Sequence, residues 1–211
     1  MKRAIIMILL FVGSLQASIA QNTIASIRKA YQEQKETISH MSDEFPSEGA
    51  PPEYYHLHVA QNLPGTGPHH ENVRMYYGYL PSEEEGDPFP PHYLSFVSSK
   101  YNFAGREYYE EYLYDKQGQV IFIYAFTPSD DLSTMYEFRL YFDGQRLLRL
   151  NVKESKDFCS FDDHAAAAAS FKDTYIGTTI PDQYAEYCPR YITWARSYLE
   201  LFKSIDNRTH L

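Results

Sequence analysis

Several familiar chemical signatures are missing from these 211 residues. There is no His-Glu-x-x-His pair, no Gly-x-Ser-x-Gly elbow and no glycine-rich phosphate loop. These absences remove the usual marks of zinc proteolysis, serine hydrolysis and nucleotide binding. The one Pro/Gly-dense stretch, Leu63-Pro64-Gly65-Thr66-Gly67-Pro68, has too few free N–H groups to cradle phosphate, and no lysine or helix follows it. Basic residues are also scarce. Nineteen Lys and Arg face 28 Asp and Glu, a formal net charge of −9, which argues against nucleic acid or an anionic membrane surface as partner. No stretch beyond residue 20 is long and apolar enough to span a bilayer as a helix, so no membrane span is expected. No cofactor is indicated.

What the chain has instead is aromatic weight. Twenty Tyr and 13 Phe, within a hydrophobic content of 44%, suit strands and a sizeable core. Residues 1–20 stand apart. Lys2-Arg3, an apolar run from Ala4 to Val12 and a small-x-small site at Ser18-Ile19-Ala20 make a secretory signal peptide. The reading divides the chain into that signal (1–20) and one domain (21–211), soluble after cleavage and periplasmic or extracellular. No cysteine follows the cleavage point to carry a lipoprotein anchor. In an oxidising compartment the two cysteines, Cys159 and Cys188, are a disulfide candidate.

The organising stretch is Arg106 to Lys153, two β-hairpins in series. In the second, Tyr136, Phe138, Leu140 and Phe142 alternate with more polar neighbours, the period of a strand with one buried face. After Asp143-Gly144 the oily set is Leu148, Leu150 and Val152. A three-residue loop, Phe142 to Gly144, opposes Phe138 to Leu148 and keeps the oily faces together, so an odd loop with a left-handed Gly144 is expected. Asp115-Lys116-Gln117-Gly118 is a type I turn candidate. Val120 to Phe126 is apolar on both faces and belongs at the sheet centre.

Around this core, Asn22 to Met41 carries Ile24, Ile27, Tyr31, Ile38 and Met41 at helical steps, with Asn22 or Thr23 as cap. Residues 42–53 form a linker. Strands follow at Tyr54–Gln61, from Val73 to Tyr79, and at His92–Tyr101, separated by the loops Leu63–His70 and Pro81–Pro91. A helix is expected over Phe161–Lys172, started by Asp162-Asp163 and carried by five alanines. A last helix over Pro189–Ile205, holding the only Trp, presents a broad apolar face. The fold class is therefore α+β: a curved antiparallel sheet of six to eight strands, a meander, with the long N- and C-terminal helices packed together on one face.

Leu63-Pro64-Gly65-Thr66-Gly67-Pro68, Met75-Tyr76-Tyr77, Lys100-Tyr101-Asn102, the run Glu107 to Asp115 with Gly118, and Arg139-Leu140-Tyr141-Phe142-Asp143-Gly144 together resemble a family of exported proteins from gut-type anaerobic bacteria. The resemblance covers most of the chain after the signal. It implies export and a bacterial source, and it brings no catalytic residues.

Three site readings follow from the residues. Tyr108, Tyr112 and Tyr114 share one strand face, and an exposed tyrosine platform binds a glycan, a peptide or an envelope protein. The leading expectation is thus an exported, non-catalytic binding or envelope-associated module using that surface and the two Pro/Gly loops. The alternative is a metal-dependent hydrolase in which His56, His58 and His69, with Glu71, hold zinc. Paired carboxylates are weak candidates: Glu110 and Glu111 are neighbours in a strand and point to opposite faces, and Asp162-Asp163 suits a helix start. Cys159 with His164 is a loose nucleophile–base pairing at best.

Overall fold

The computed structural model describes residues 22–41, 54–82, 85–87 and 90–209. The signal peptide and the 42–53 linker lie outside the described residues. Helix α1 spans Ile24–Ser39, and Thr23 and Ser26 close a reciprocal capping box at its start. Strands follow at β1 (Tyr54–Leu63), β2 (Gly67–Tyr79), β3 (His92–Phe103), β4 (Arg106–Tyr114), β5 (Val120–Pro128), β6 (Met135–Asp143) and β7 (Arg146–Ser155). A one-turn helix α2 (His164–Ala167), a last strand β8 (Lys172–Gly177) and the long helix α3 (Cys188–Thr209) complete the chain.

Among the described residues, the eight strands form one antiparallel sheet in strict chain order, with β1 and β8 as its edges. The sheet is open and not strongly curled, which corrects the expected curvature. Val120 to Phe126 is an inner strand, buried almost throughout, as an apolar run on both faces requires. The turn before it is closed by Gly118 N–H donating to the Asp115 carbonyl at 3.0 Å, with Gly118 at φ +77°. Asp115 Oδ1 also accepts from the N–H groups of Gln117 and Gln119 at 2.9 and 2.8 Å.

The two long helices lie on opposite faces, not together on one. Along β4 and β5, Tyr112, Tyr114, Ile123 and Ala125 join a core with Cys188, Tyr191, Ala195 and Phe202 of α3. Their alternating neighbours Leu113, Phe122, Tyr124 and Phe126 pack with Ile27 of α1 and with Phe171. Both faces of the central strands are apolar, so each demands a cover, and one amphipathic helix serves each face.

Two local expectations also change. The β6–β7 connection is a tight turn pairing Asp143 with Arg146, and the odd residue sits inside β7 instead. Tyr141 opposes Arg149 and Phe142 opposes Leu147, so Leu148 is bulged out. Leu148 therefore packs on the α1 side, while Leu150 and Val152 join Phe138 and Leu140 as expected. A bulge and an odd loop correct the same parity, which is why alternation alone does not choose between them. The Phe161–Lys172 helix shrinks to α2 and a single 3₁₀ turn, Ala168–Ser170. Asp163 makes no side-chain cap bond, and the alanines are mostly exposed. A helix without a buried face has little to hold it, and the chain pairs as β8 with β7 instead.

Cys159 and Cys188 are both free thiols, which corrects the disulfide. Cys188, the first residue of α3, is wholly buried against the sheet, whereas Cys159 packs on the opposite, α1 face. The sheet separates them, and a disulfide needs Cα atoms within about 7 Å. Burial pushes the Cys188 thiol up to about 12 and raises that of Cys159 as well. A thiol reagent is expected to titrate one thiol, Cys159, in the folded protein and the second only after denaturation. Fewer than two thiols in unreduced, denatured protein would contradict this arrangement.

Candidate functional site

Strand β4, Arg-Glu-Tyr-Tyr-Glu-Glu-Tyr-Leu-Tyr, splits its side chains by parity. Glu110 and Glu111 are 1% and 2% exposed and lie on opposite faces, as adjacent strand residues must. Each face therefore buries one carboxylate and must satisfy it.

On the α1 face, Glu111 accepts from Lys35 Nζ and the Tyr109 hydroxyl, both at 2.6 Å, and from the Tyr31 hydroxyl. Nearby, Glu137 pairs with Arg139 at 2.6 Å and with His164 Nε2 at 3.0 Å. Tyr31, Lys35, Glu111, Arg139 and His164 border a cavity of about 220 Å³. Every carboxylate here already has a cationic partner, and the arrangement docks α1 and α2 onto the sheet.

The α3 face is different. Glu110 Oε1 accepts from the Tyr101 hydroxyl at 3.0 Å, and Oε2 accepts from the Tyr112 hydroxyl. Pairing across β3, β4 and β5 places Ser99 and Ala125 on either side of Glu110. These two small side chains leave room for a carboxyl in an otherwise aromatic layer. Burial pushes the Glu110 carboxyl up to about 7, against the opposing pull of the two phenols and of Arg190, while Glu71 adds to the rise. Glu71 Oε1 in turn accepts from Ser99 Oγ and the Tyr198 hydroxyl, each at 3.3 Å.

Glu71 opens onto a groove of about 400 Å³ between the β1–β2 end of the sheet and α3. Trp194, Ser197, Tyr198 and Leu201, a single stripe at helical spacing, form one wall. Leu57, Val59, His69, Glu71 and Val73 form the other, with Tyr101 at the base. The Tyr101 ring stacks on Tyr108, with centroids 4.8 Å apart, and meets Trp194 edge-on at 5.9 Å. Apolar and aromatic walls with a few convergent polar groups are what small-ligand sites are built from. A larger cavity, about 950 Å³, runs between α1 and the β4–β5 turn. Its walls are mostly amide, hydroxyl and charged side chains such as Gln34, Thr37, Lys116 and Gln119, without the groove's aromatic character.

The expected site residues fall in other places. Tyr108, Tyr112 and Tyr114 are 8%, 0% and 4% exposed, so they are not an exposed platform but part of the layer beneath α3. The Tyr114 hydroxyl donates to the Ala195 carbonyl at 2.7 Å, pinning the helix. The histidines do not converge. His56 borders a cavity with Lys35, Ile38, Tyr76 and Phe96 on the α1 face, and His58, two residues on, shares its side of β1. His69 lines the groove on the other face. No group of His, Cys, Asp or Glu suited to a metal occurs among the described residues. The register of β1 on β2 puts His56 and His58 on one face with His70 and Asn72, and His69 with Glu71 on the other, so the expected zinc set is not brought together. Tyr101, Tyr198 and Leu201 were not singled out from the sequence. The available signal was the stripe from Trp194 to Leu201, whose members look like ordinary core positions until the sheet is seen to end beneath them.

Fold and site together define an open antiparallel α+β domain with a ligand-sized aromatic groove under its C-terminal helix. No protein-family model, curated protein or solved structure matches the chain. Among the described residues, no helix is long and apolar enough to cross a membrane.

Proposed function

We propose that this is an exported, non-catalytic binding protein that takes a small amphiphilic ligand into the groove between α3 and the β1–β2 end of the sheet. The observation that carries the reading is the convergence, in one opening of about 400 Å³, of apolar walls with the Glu71 carboxylate and the His69 imidazole. That volume lies within the range of small-molecule sites. Export rests on the composition of residues 1–20, and an N-terminus at Gln21 in protein recovered outside the cytoplasm is its check.

The chain has a single Trp, and it lines the groove, so intrinsic fluorescence reports occupancy. Titration with short-chain amphiphiles is expected to shift Trp194 emission saturably. Leu201→Arg, at a position 38% exposed, is expected to block that response with little loss of stability, within about 0.5 kcal/mol. A flat response to neutral, anionic and cationic amphiphiles alike would overturn the proposal.

A further inference from the structure

Resting on that reading, we infer that the groove selects a primary ammonium carried on an apolar body. Glu71 is the only carboxylate among the groove residues, and no Lys or Arg lines the groove. Its hydrogen-bond donors, Ser99 and Tyr198, are neutral, and among the described residues no basic side chain pairs with it. Glu71 is half-buried and held by hydroxyl dipoles with no protein charge paired to it, so a ligand cation entering the groove meets an unpaired carboxylate.

Hydrogen-bond polarity points the same way. The Tyr101 hydroxyl hydrogen is committed to Glu110, that of Tyr198 to Glu71, and that of Ser197 to the Thr193 carbonyl at 3.3 Å. His69 Nδ1 lies 2.5 Å from the Asn102 carbonyl oxygen. A carbonyl can only accept, so Nδ1 carries the hydrogen, and a neutral His69 keeps Nε2 as an acceptor. The polar end thus offers Glu71 Oε2 and His69 Nε2 as acceptors, against one neutral donor, the Trp194 indole N–H. A primary ammonium has three donors and one positive charge and fits that end. Its apolar body lies against Leu57, Val59 and Leu201, while a Trp194 face is already taken by the Arg190 guanidinium, 5.1 Å from the ring centroid, so the carboxylate and not the rings selects the ammonium. A carboxylate ligand meets Glu71 as a like charge.

The probes are hexylammonium, hexanol and hexanoate, titrated against Trp194 fluorescence. Hexylammonium is expected to bind about tenfold more tightly than hexanol, the worth of one charge-assisted hydrogen bond, with hexanoate weakest. Added salt should weaken hexylammonium and leave hexanol unchanged. Glu71→Gln, checked for folding by circular dichroism, should erase the preference while retaining hexanol binding. The salt series on the unaltered protein decides the matter if that variant does not fold. Hexanol or hexanoate binding as tightly as hexylammonium would overturn the ammonium assignment and leave the groove standing. No response to any of the three would overturn the groove itself.

Discussion

Phe138→Ala is expected to lower the unfolding free energy by about 3–5 kcal/mol, the range for deleting a fully buried phenylalanine ring. Phe138 is 0% exposed and stands on β6 at the middle of the α3 face. Its ring packs against Tyr184, Tyr187 and Tyr191, with centroids 5.5, 5.4 and 5.9 Å away. Its cross-strand neighbours are Ala125 and Val152. Ala125 is already minimal and Val152 is stiff at χ1, so neither can swing into the vacated volume. The cavity persists, and the cost falls on the docking of α3. Urea unfolding reads the loss as a lower midpoint at unchanged slope. Ile176→Ala on the β8 edge, 52% exposed, is the control and should cost less than about 1 kcal/mol. A Phe138→Ala loss as small as that control would mean that α3 does not cover this face.

The second large effect concerns pH. The Glu110 carboxyl titrates near 7 in the folded protein because burial disfavours its charged form. In the unfolded chain a glutamate titrates near its ordinary value, about 4.3. Between those values the folded state holds a proton that the unfolded state has released. Stability therefore falls as pH rises across that window, by roughly 3–4 kcal/mol in total from this one group. The direction is opposite to that of a salt-bridged carboxylate, whose contribution grows with pH below the unfolded value and is already complete above it. Glu110→Gln keeps an acceptor for the Tyr101 or Tyr112 hydroxyl and cannot ionise. The stability of the natural protein minus that of the variant should decline steadily from about pH 4.5 to 7.5 and level off beyond. A difference that is flat or rises with pH would place Glu110 in a wetter or better-compensated setting than the one described. The comparison between the two proteins cancels the other titrating groups, which both share.

Much of the sheet was legible because its instructions are local. The two-sided apolar character of Val120 to Phe126, the turn at Asp115 to Gly118 and the cap at Thr23 each depend on a few neighbouring residues. The divergence of Glu110 from Glu111 follows from strand parity alone. What escaped depends on partners distant in sequence. Both faces of β4 and β5 are apolar and both long helices are amphipathic, so nothing local says which helix takes which face, or that they do not share one. Tyrosine is the sharpest case. A row such as Tyr108, Tyr112 and Tyr114 suits a wet platform or a covered layer equally, because the ring is apolar and its tip is polar. The length of α3, passing overhead with the Ala195 carbonyl available to Tyr114, decides it. The histidines misled for a related reason. His56, His58 and His69 are close along a hairpin, yet the register of β1 on β2 sends His69 to the other side.

The groove under α3 is the claim on which the functional account turns, and residue-resolved amide shifts on addition of hexylammonium test it most directly. The predicted result is a saturable set of shifts confined to Leu57, Val59, His69, Glu71, Trp194 and Leu201 and their neighbours, with Lys35 and Glu111 on the opposite face unmoved. Shifts centred on the α1 face, or spread evenly over both faces without saturation, would contradict it.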